Sequence, residues 1–232
     1  MLNFPQYNSY RNVNQRKLLD QRELEKRDLF QQTILKELTE EYTIPIVEKL
    51  PINIYPLSQR FSEYSMLPYG EIGTIKEAGC GILAVEYAFR LLGCNVDFVE
   101  LLDECVNKGY RGYVYDENGN IIDGSGTKYS LFTNLAIELK HLNQIFYFSK
   151  EGFPITLLVQ NSVYKNESNK KGNHYITLVG FAENEKALLM DGNRITNLLH
   201  PEDALLTKSF KILAPGLRGA WAWKKEKLMA YL

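Results

Sequence analysis

The chain is poor in the residues that most often announce a chemistry. Of its 232 residues only three are cysteine and three are histidine. Cys80, Cys94 and Cys105 form no CxxC pair and their number is odd, which argues against a disulfide framework. No His/Cys spacing of the metal-binding kind occurs, so neither a metal nor another cofactor is expected. The charges nearly cancel, with 27 Lys and Arg against 28 Asp and Glu, a formal net charge of -1. That leaves no electrostatic case for nucleic acid or an anionic membrane surface. No run of about 18 apolar residues occurs, so no spanning helix is expected. The N-terminus has no apolar stretch followed by a cleavage site; cytoplasmic residence is expected, with export lacking a visible signal left open. What remains is the composition of an ordinary globular protein, 45% hydrophobic and 24% charged.

Residues 15–41 are free of Gly and Pro and dense in Lys, Arg, Glu and Gln, which predicts a helix. Its apolar positions Leu24, Phe30, Ile34, Leu35 and Leu38 make a narrow stripe. Pro45, Pro51 and Pro56 then break the chain. The expected division is therefore a helical extension and connector over 1–51 and one domain over 52–232. The extension could cover a cleft or mediate oligomerisation. Residues 79–93 read as a helix apolar on most sides, followed by helices over 97–108 and 128–140, with a turn-rich loop between the last two. Beyond residue 143 the pattern changes to short β-rich runs at 145–148, 154–160, 174–181, 186–191, 209–212 and 220–223. Helices first and antiparallel strands second describe an α+β domain.

Cys80 stands at the predicted start of the apolar helix, between Gly79 and Gly81. A thiol there meets unpaired backbone N–H groups and the positive end of the helix dipole, which favour thiolate. The flanking glycines would let a substrate backbone come close. Taken alone, a cysteine at a helix start is more often a small core residue. Cys94 and Cys105 fit that description, within a helix end and an amphipathic helix.

A thiol nucleophile needs a base. His200 precedes Pro201 and reads as a turn residue, and His141 reads as a helix C-terminal residue facing the dipole. His174 opens a strand directly after a polar loop. Asp191 follows 17 residues later at the end of the next strand. A tight turn near residues 183–186 would fold the two strands into a hairpin and bring Asp191 to the His174 end. A carboxylate so placed can fix the imidazole tautomer and orientation. Gln59, 21 residues before Cys80, could supply a side-chain amide that joins the Cys80 backbone N–H in holding an oxyanion.

The run SQRFSEY…YGEIGTIKEAGCG, then GSGT, then HYITLVGF and MDG, resembles papain-like cysteine peptidases of the double-glycine-leader (bacteriocin-processing) type, in their stand-alone, peptidase-like branch. The likeness covers about residues 57–195. It implies a bacterial protein of papain-like fold, with a helical half whose central helix starts at the nucleophile and an antiparallel β half. Cys80 would be nucleophile, His174 general base and acid, Asp191 orienter, and Gln59 part of the oxyanion hole, acting on a peptide or protein. The chain departs from the family where Ile82 and Leu83 follow Cys-Gly in place of a proline and a small residue. Phe61 and Tyr64 stand where an aspartate and a tryptophan are usual. Two other outcomes stay open: a thiol acyltransferase or deamidase with the same triad, and a catalytically silent module that binds peptides.

Overall fold

The computed structural model describes residues 9–46, 57–60, 62–194 and 205–229, with the side chains of 9–20, 194 and 229 excepted. In chain order the elements are α1 (Ser9–Glu37), α2 (Ile75–Ala78), α3 (Cys80–Leu91), α4 (Phe98–Asn107), β1 (Arg111–Tyr115), β2 (Ile121–Thr127), α5 (Tyr129–Leu135), β3 (Ile137–Leu139) and α6 (Leu142–Lys150). They continue as β4 (Ile155–Gln160), α7 (Asn161–Tyr164), β5 (Asn173–Ala182), β6 (Lys186–Met190), β7 (Leu205–Ser209), α8 (Phe210–Leu213), β8 (Leu217–Ala222) and α9 (Lys225–Met229). The fold is α+β. Six strands form one antiparallel sheet in the order β3-β8-β4-β5-β6-β7, and β1 with β2 forms a separate hairpin.

The sheet separates two apolar layers. One gathers α3, α4 and α5 against Leu158, Tyr175, Val179, Met190, Trp221 and Trp223. The other gathers α6, α8 and part of α1 against Ile155, Leu157, Ile176, Leu178 and Phe181. Helix α3 is buried at every position from Gly81 to Phe89, as its apolarity on most sides requires, and the buried Glu86 is paired with Arg90. Helix α4 starts where Asp97 accepts from the backbone N–H groups of Val99 and Glu100 at 2.8 and 3.0 Å, two donors the first turn cannot satisfy internally.

Helix α1 is built into the second layer. Phe30 and Ile34 are buried there, while Leu24 and Leu35 stay 56% and 43% exposed. The Gln31 amide donates to the Pro215 carbonyl at 2.7 Å, and Arg218 pairs with Asp28 at 3.0 Å. At its end Glu37 accepts from the Leu142 backbone N–H at 2.7 Å and meets His141 Nδ1 at 2.5 Å. A carboxylate from α1 therefore caps α6.

Five local expectations are corrected. Residues 145–148 are helical, because Leu142, Ile145, Phe146 and Ser149 are buried at helical spacing. His141 is consequently an N-cap residue, where the expectation placed it at a helix C-terminus. The stretch 109–127 forms the β1–β2 hairpin around a turn at 116–120, pinned by Asp116, whose carboxylate accepts from the backbone N–H groups of Asn118 and Asn120. The helix expected over 128–140 stops at Leu135, and β3 then pairs with β8; of residues 209–212, expected as strand, only Ser209 belongs to one and the rest fall in the helical turn α8. His200 and Phe61 lie outside the described residues.

Candidate active site

The chain reaches Cys80 through a break in helix. Helix α2 ends at Ala78, Gly79 takes φ -82 and ψ 1, and α3 starts at Cys80. Its first N–H groups have no partner within the helix's own ladder and point to the cysteine end. The two glycines serve internal packing, a correction to their expected role in admitting substrate. A Cβ on Gly81 would stand 2.4 Å from Cβ and Oγ1 of Thr127, and one on Gly79 would stand 2.6 Å from the Ile75 carbonyl oxygen. The start of α3 is thereby pressed onto β2.

His174 lies at the beginning of β5 and Asp191 directly after β6, and the β5–β6 hairpin turns at residues 183–185, where Asn184 and Glu185 take positive φ. Nε2 of His174 is 2.9 Å from Oδ1 of Asp191. The Cys80 thiol lies beside the same imidazole, and its ionisation is favoured by His174 and by the Tyr175 backbone N–H. Cys80, His174 and Asp191 are thus one connected group, with His174 and Asp191 at 5% and 3% exposure.

Three opposing shifts describe its electrostatics. Burial pushes the Cys80 thiol up, but its hydrogen bond to His174, the imidazole charge and the Tyr175 N–H together hold it below an ordinary thiol. Burial would push His174 down, yet the Asp191 charge and hydrogen bond, reinforced by Cys80, raise it to about 10. Burial would raise Asp191, and His174, then Tyr164 and the Asn193 N–H, hold it below the usual carboxylate range. All three favour a thiolate, an imidazolium and a carboxylate in contact. The other thiols differ: Cys105 is buried beside Tyr69 and pushed up to about 11, and Cys94 is buried in the first layer.

Gln59 is buried, its backbone N–H held by the Gly192 carbonyl at 3.0 Å next to Asp191. Its side-chain amide donates to the carbonyl of Lys76 at 3.2 Å, one turn before Cys80. Tyr87 of α3 donates to the Leu57 carbonyl, fastening the same segment from the other side. The amide nitrogen carries a second hydrogen, so Gln59 can hold the helix start and still offer a donor there.

Two contributors escaped the sequence. Tyr164 donates its hydroxyl to Oδ2 of Asp191 at 2.7 Å, and its ring lies 5.4 Å from that of His174. The one signal for it was an aromatic residue inside the largely polar loop 161–173. Arg111 is 2% exposed and donates to the carbonyls of Tyr69, Ile72 and Gly126, each at 2.9 Å, which locks the segment before α2 onto the hairpin.

No protein-family model matches the chain, and no curated protein and no solved structure was found that resembles it.

Two concave surfaces lie along the hairpin and the segment that leads to α3. One, of about 620 Å³, is lined by Glu71, Arg111, Tyr113, Tyr115, Asn120 and Lys128 among others. A second, of about 350 Å³, takes in Gly73, Glu77, Ala78, Asp123 and Gly124; neither hollow is lined by Cys80, His174, Asp191 or Gln59. Among the described residues no group of three or more His, Cys, Asp or Glu side chains is arranged to hold a metal ion, and no helix is long and apolar enough to cross a membrane.

Proposed function

We propose that this chain is a cysteine peptidase or amide hydrolase of papain-like design, with Cys80 as nucleophile, His174 as general base and acid, Asp191 as orienter and Gln59 in the oxyanion hole. The observation that carries the reading is a buried imidazole bound to a carboxylate at 2.9 Å, with a helix-start thiol whose ionisation it favours. A purely structural cysteine needs neither partner.

In this reading the Cys80 thiolate attacks the carbonyl carbon of a peptide or amide bond. The developing oxyanion takes hydrogen bonds from the Cys80 backbone N–H and the Gln59 amide. His174, already protonated, donates its proton to the departing amine, leaving a thioester. Water then attacks the thioester carbonyl as His174 takes its proton. The thiolate leaves, the acid product is released, and the imidazolium–thiolate pair is restored. Asp191 holds the imidazole with its Nε2–H engaged, so that Nδ1 is the nitrogen turned to sulfur and substrate. The β1–β2 hairpin forms one wall of the cleft, a role favoured by the contact of Gly81 with Thr127 and by the hollow that leads up to Ala78.

The test is alkylation by iodoacetamide across pH with the modified residue located by mass spectrometry. Cys80 is expected to react at pH 6, far ahead of Cys94 and Cys105, and His174→Ala is expected to slow it at least tenfold. Equal labelling of the three thiols, or indifference to His174→Ala, would overturn the reading.

A further inference from the structure

We infer that Tyr164 is a fourth, positioning member of the Cys80–His174–Asp191 group, acting through Asp191; this rests on the proposed thiol chemistry and deepens it. A carboxylate has two oxygens, and here each has a separate task. Oδ1 faces His174 Nε2 at 2.9 Å and also accepts the Asn193 backbone N–H at 3.0 Å. Oδ2 accepts the Tyr164 hydroxyl at 2.7 Å. With 3% exposure, Asp191 has almost no access to water, so Oδ2 depends on that hydroxyl for its solvation. The pair of bonds at opposite oxygens fixes the carboxylate plane, and with it the imidazole.

The surroundings of Tyr164 are built to hold it. Asn161 closes the loop 161–172 at its base, its N–H on the Gly172 carbonyl and its side-chain amide on that of Lys171, both at 3.0 Å. Helix α7 then delivers Tyr164 inward, 3% exposed. Lys208 of β7 donates to its main-chain carbonyl and lies 4.6 Å above its ring. The groups facing Asp191 are His174 from β5, Tyr164 from α7, and Tyr87 and Cys80 from α3, while Arg60 holds the neighbouring Asn193 side chain at 2.6 Å. Of the hydroxyls among these, Tyr164 is the one bonded to the carboxylate.

The consequence is a dependence on pH. Protonation of Asp191 removes the counter-ion of the imidazolium, and the Cys80 thiolate is lost with it. A donor to the ionised carboxylate moves that loss to lower pH. The experiment is Tyr164→Phe in the full chain, which keeps the ring over His174 and deletes the donor. Three readouts are taken: the pH dependence of Cys80 alkylation by iodoacetamide, the downfield ring N–H proton resonance of His174, and the thermal midpoint. The acid limb is expected to move up by about one pH unit, with a displaced or broadened His174 resonance. A lowered midpoint with the limb and the resonance unmoved would make Tyr164 a packing residue and overturn the inference alone. Failure of Cys80 to react ahead of Cys94 and Cys105 in the unaltered chain would overturn the thiol chemistry and this inference together.

Discussion

Nε2 of His174 and Oδ1 of Asp191 lie 2.9 Å apart, 17 residues distant in the chain, because β5 and β6 form one hairpin whose open end carries both. The pair links folding to pH. Asp191 is depressed in the folded chain, so its contribution is present above the unfolded carboxylate value of about 4 and is lost as pH falls through the lower folded value. His174 is raised to about 10, so its contribution is full below the unfolded value of about 6.5 and is lost as pH rises toward 10. Both are complete between about pH 4 and 6.5. Asp191→Asn is therefore expected to lower the thermal midpoint most in that window and progressively less toward pH 10. A midpoint difference that does not vary with pH would show that the two side chains are not an ion pair.

Gln59 can be separated from the nucleophile. Alkylation of a thiolate develops no oxyanion, whereas acyl transfer does. Gln59→Ala is expected to reduce kcat for a peptide reporter turned over by the unaltered chain by about 10²–10³-fold. Its effect on the Cys80 alkylation rate should be small by comparison. An equal fall in both rates would mean that the amide serves to hold the Lys76 carbonyl and the helix start, and not the transition state.

Much of the frame was legible because it follows from period and punctuation. Apolar residues on most sides of 79–93 mark an interior helix, and the two strands flanking residues 183–185 mark a hairpin. The group around Cys80 was accessible as a set of candidates for the same reason, since a helix start and a hairpin end are local features. What failed was decided by distant partners. Residues 145–148 are β-formers by composition, but Glu37, a hundred residues earlier, caps the helix they belong to. Tyr164 could not be assigned to Asp191 before the path of the loop 161–172 was known, and Arg111 pairs with three backbone carbonyls that no charge pattern announces.

Gly81 offers a test of how the nucleophile is placed. Its missing Cβ lets α3 sit against Thr127, so Gly81→Ala must either move Thr127 or lift the helix start. Overpacking of this kind costs about 1–3 kcal/mol. The expected result is a lowered denaturation midpoint with a larger proportional loss in Cys80 reactivity, because the displaced turn carries the thiol. Unchanged alkylation kinetics in a destabilised protein would show that the contact sets packing without setting the nucleophile.

Helix α1 yields the last prediction. Its buried face joins the second layer through Phe30 and Ile34 and packs against β8 and the turn at 214–216, so a chain shortened to begin near residue 52 would uncover that side of the layer. Phe30→Ala and Ile34→Ala are each expected to cost about 2–5 kcal/mol in chemical denaturation. Leu35→Ala, on the side facing solvent at 43% exposure, should stay within about 0.5 kcal/mol. The same helix brings Arg27 to 5.6 Å from the Tyr129 ring and into electrostatic reach of Tyr175, which adjoins His174 in the chain. Any gain in hydrolysis on removing the helix must therefore be read against the accompanying loss of stability, and Arg27→Ala separates the two. A restraining helix predicts faster turnover for that variant at nearly unchanged stability; equal turnover confines α1 to its part in the core.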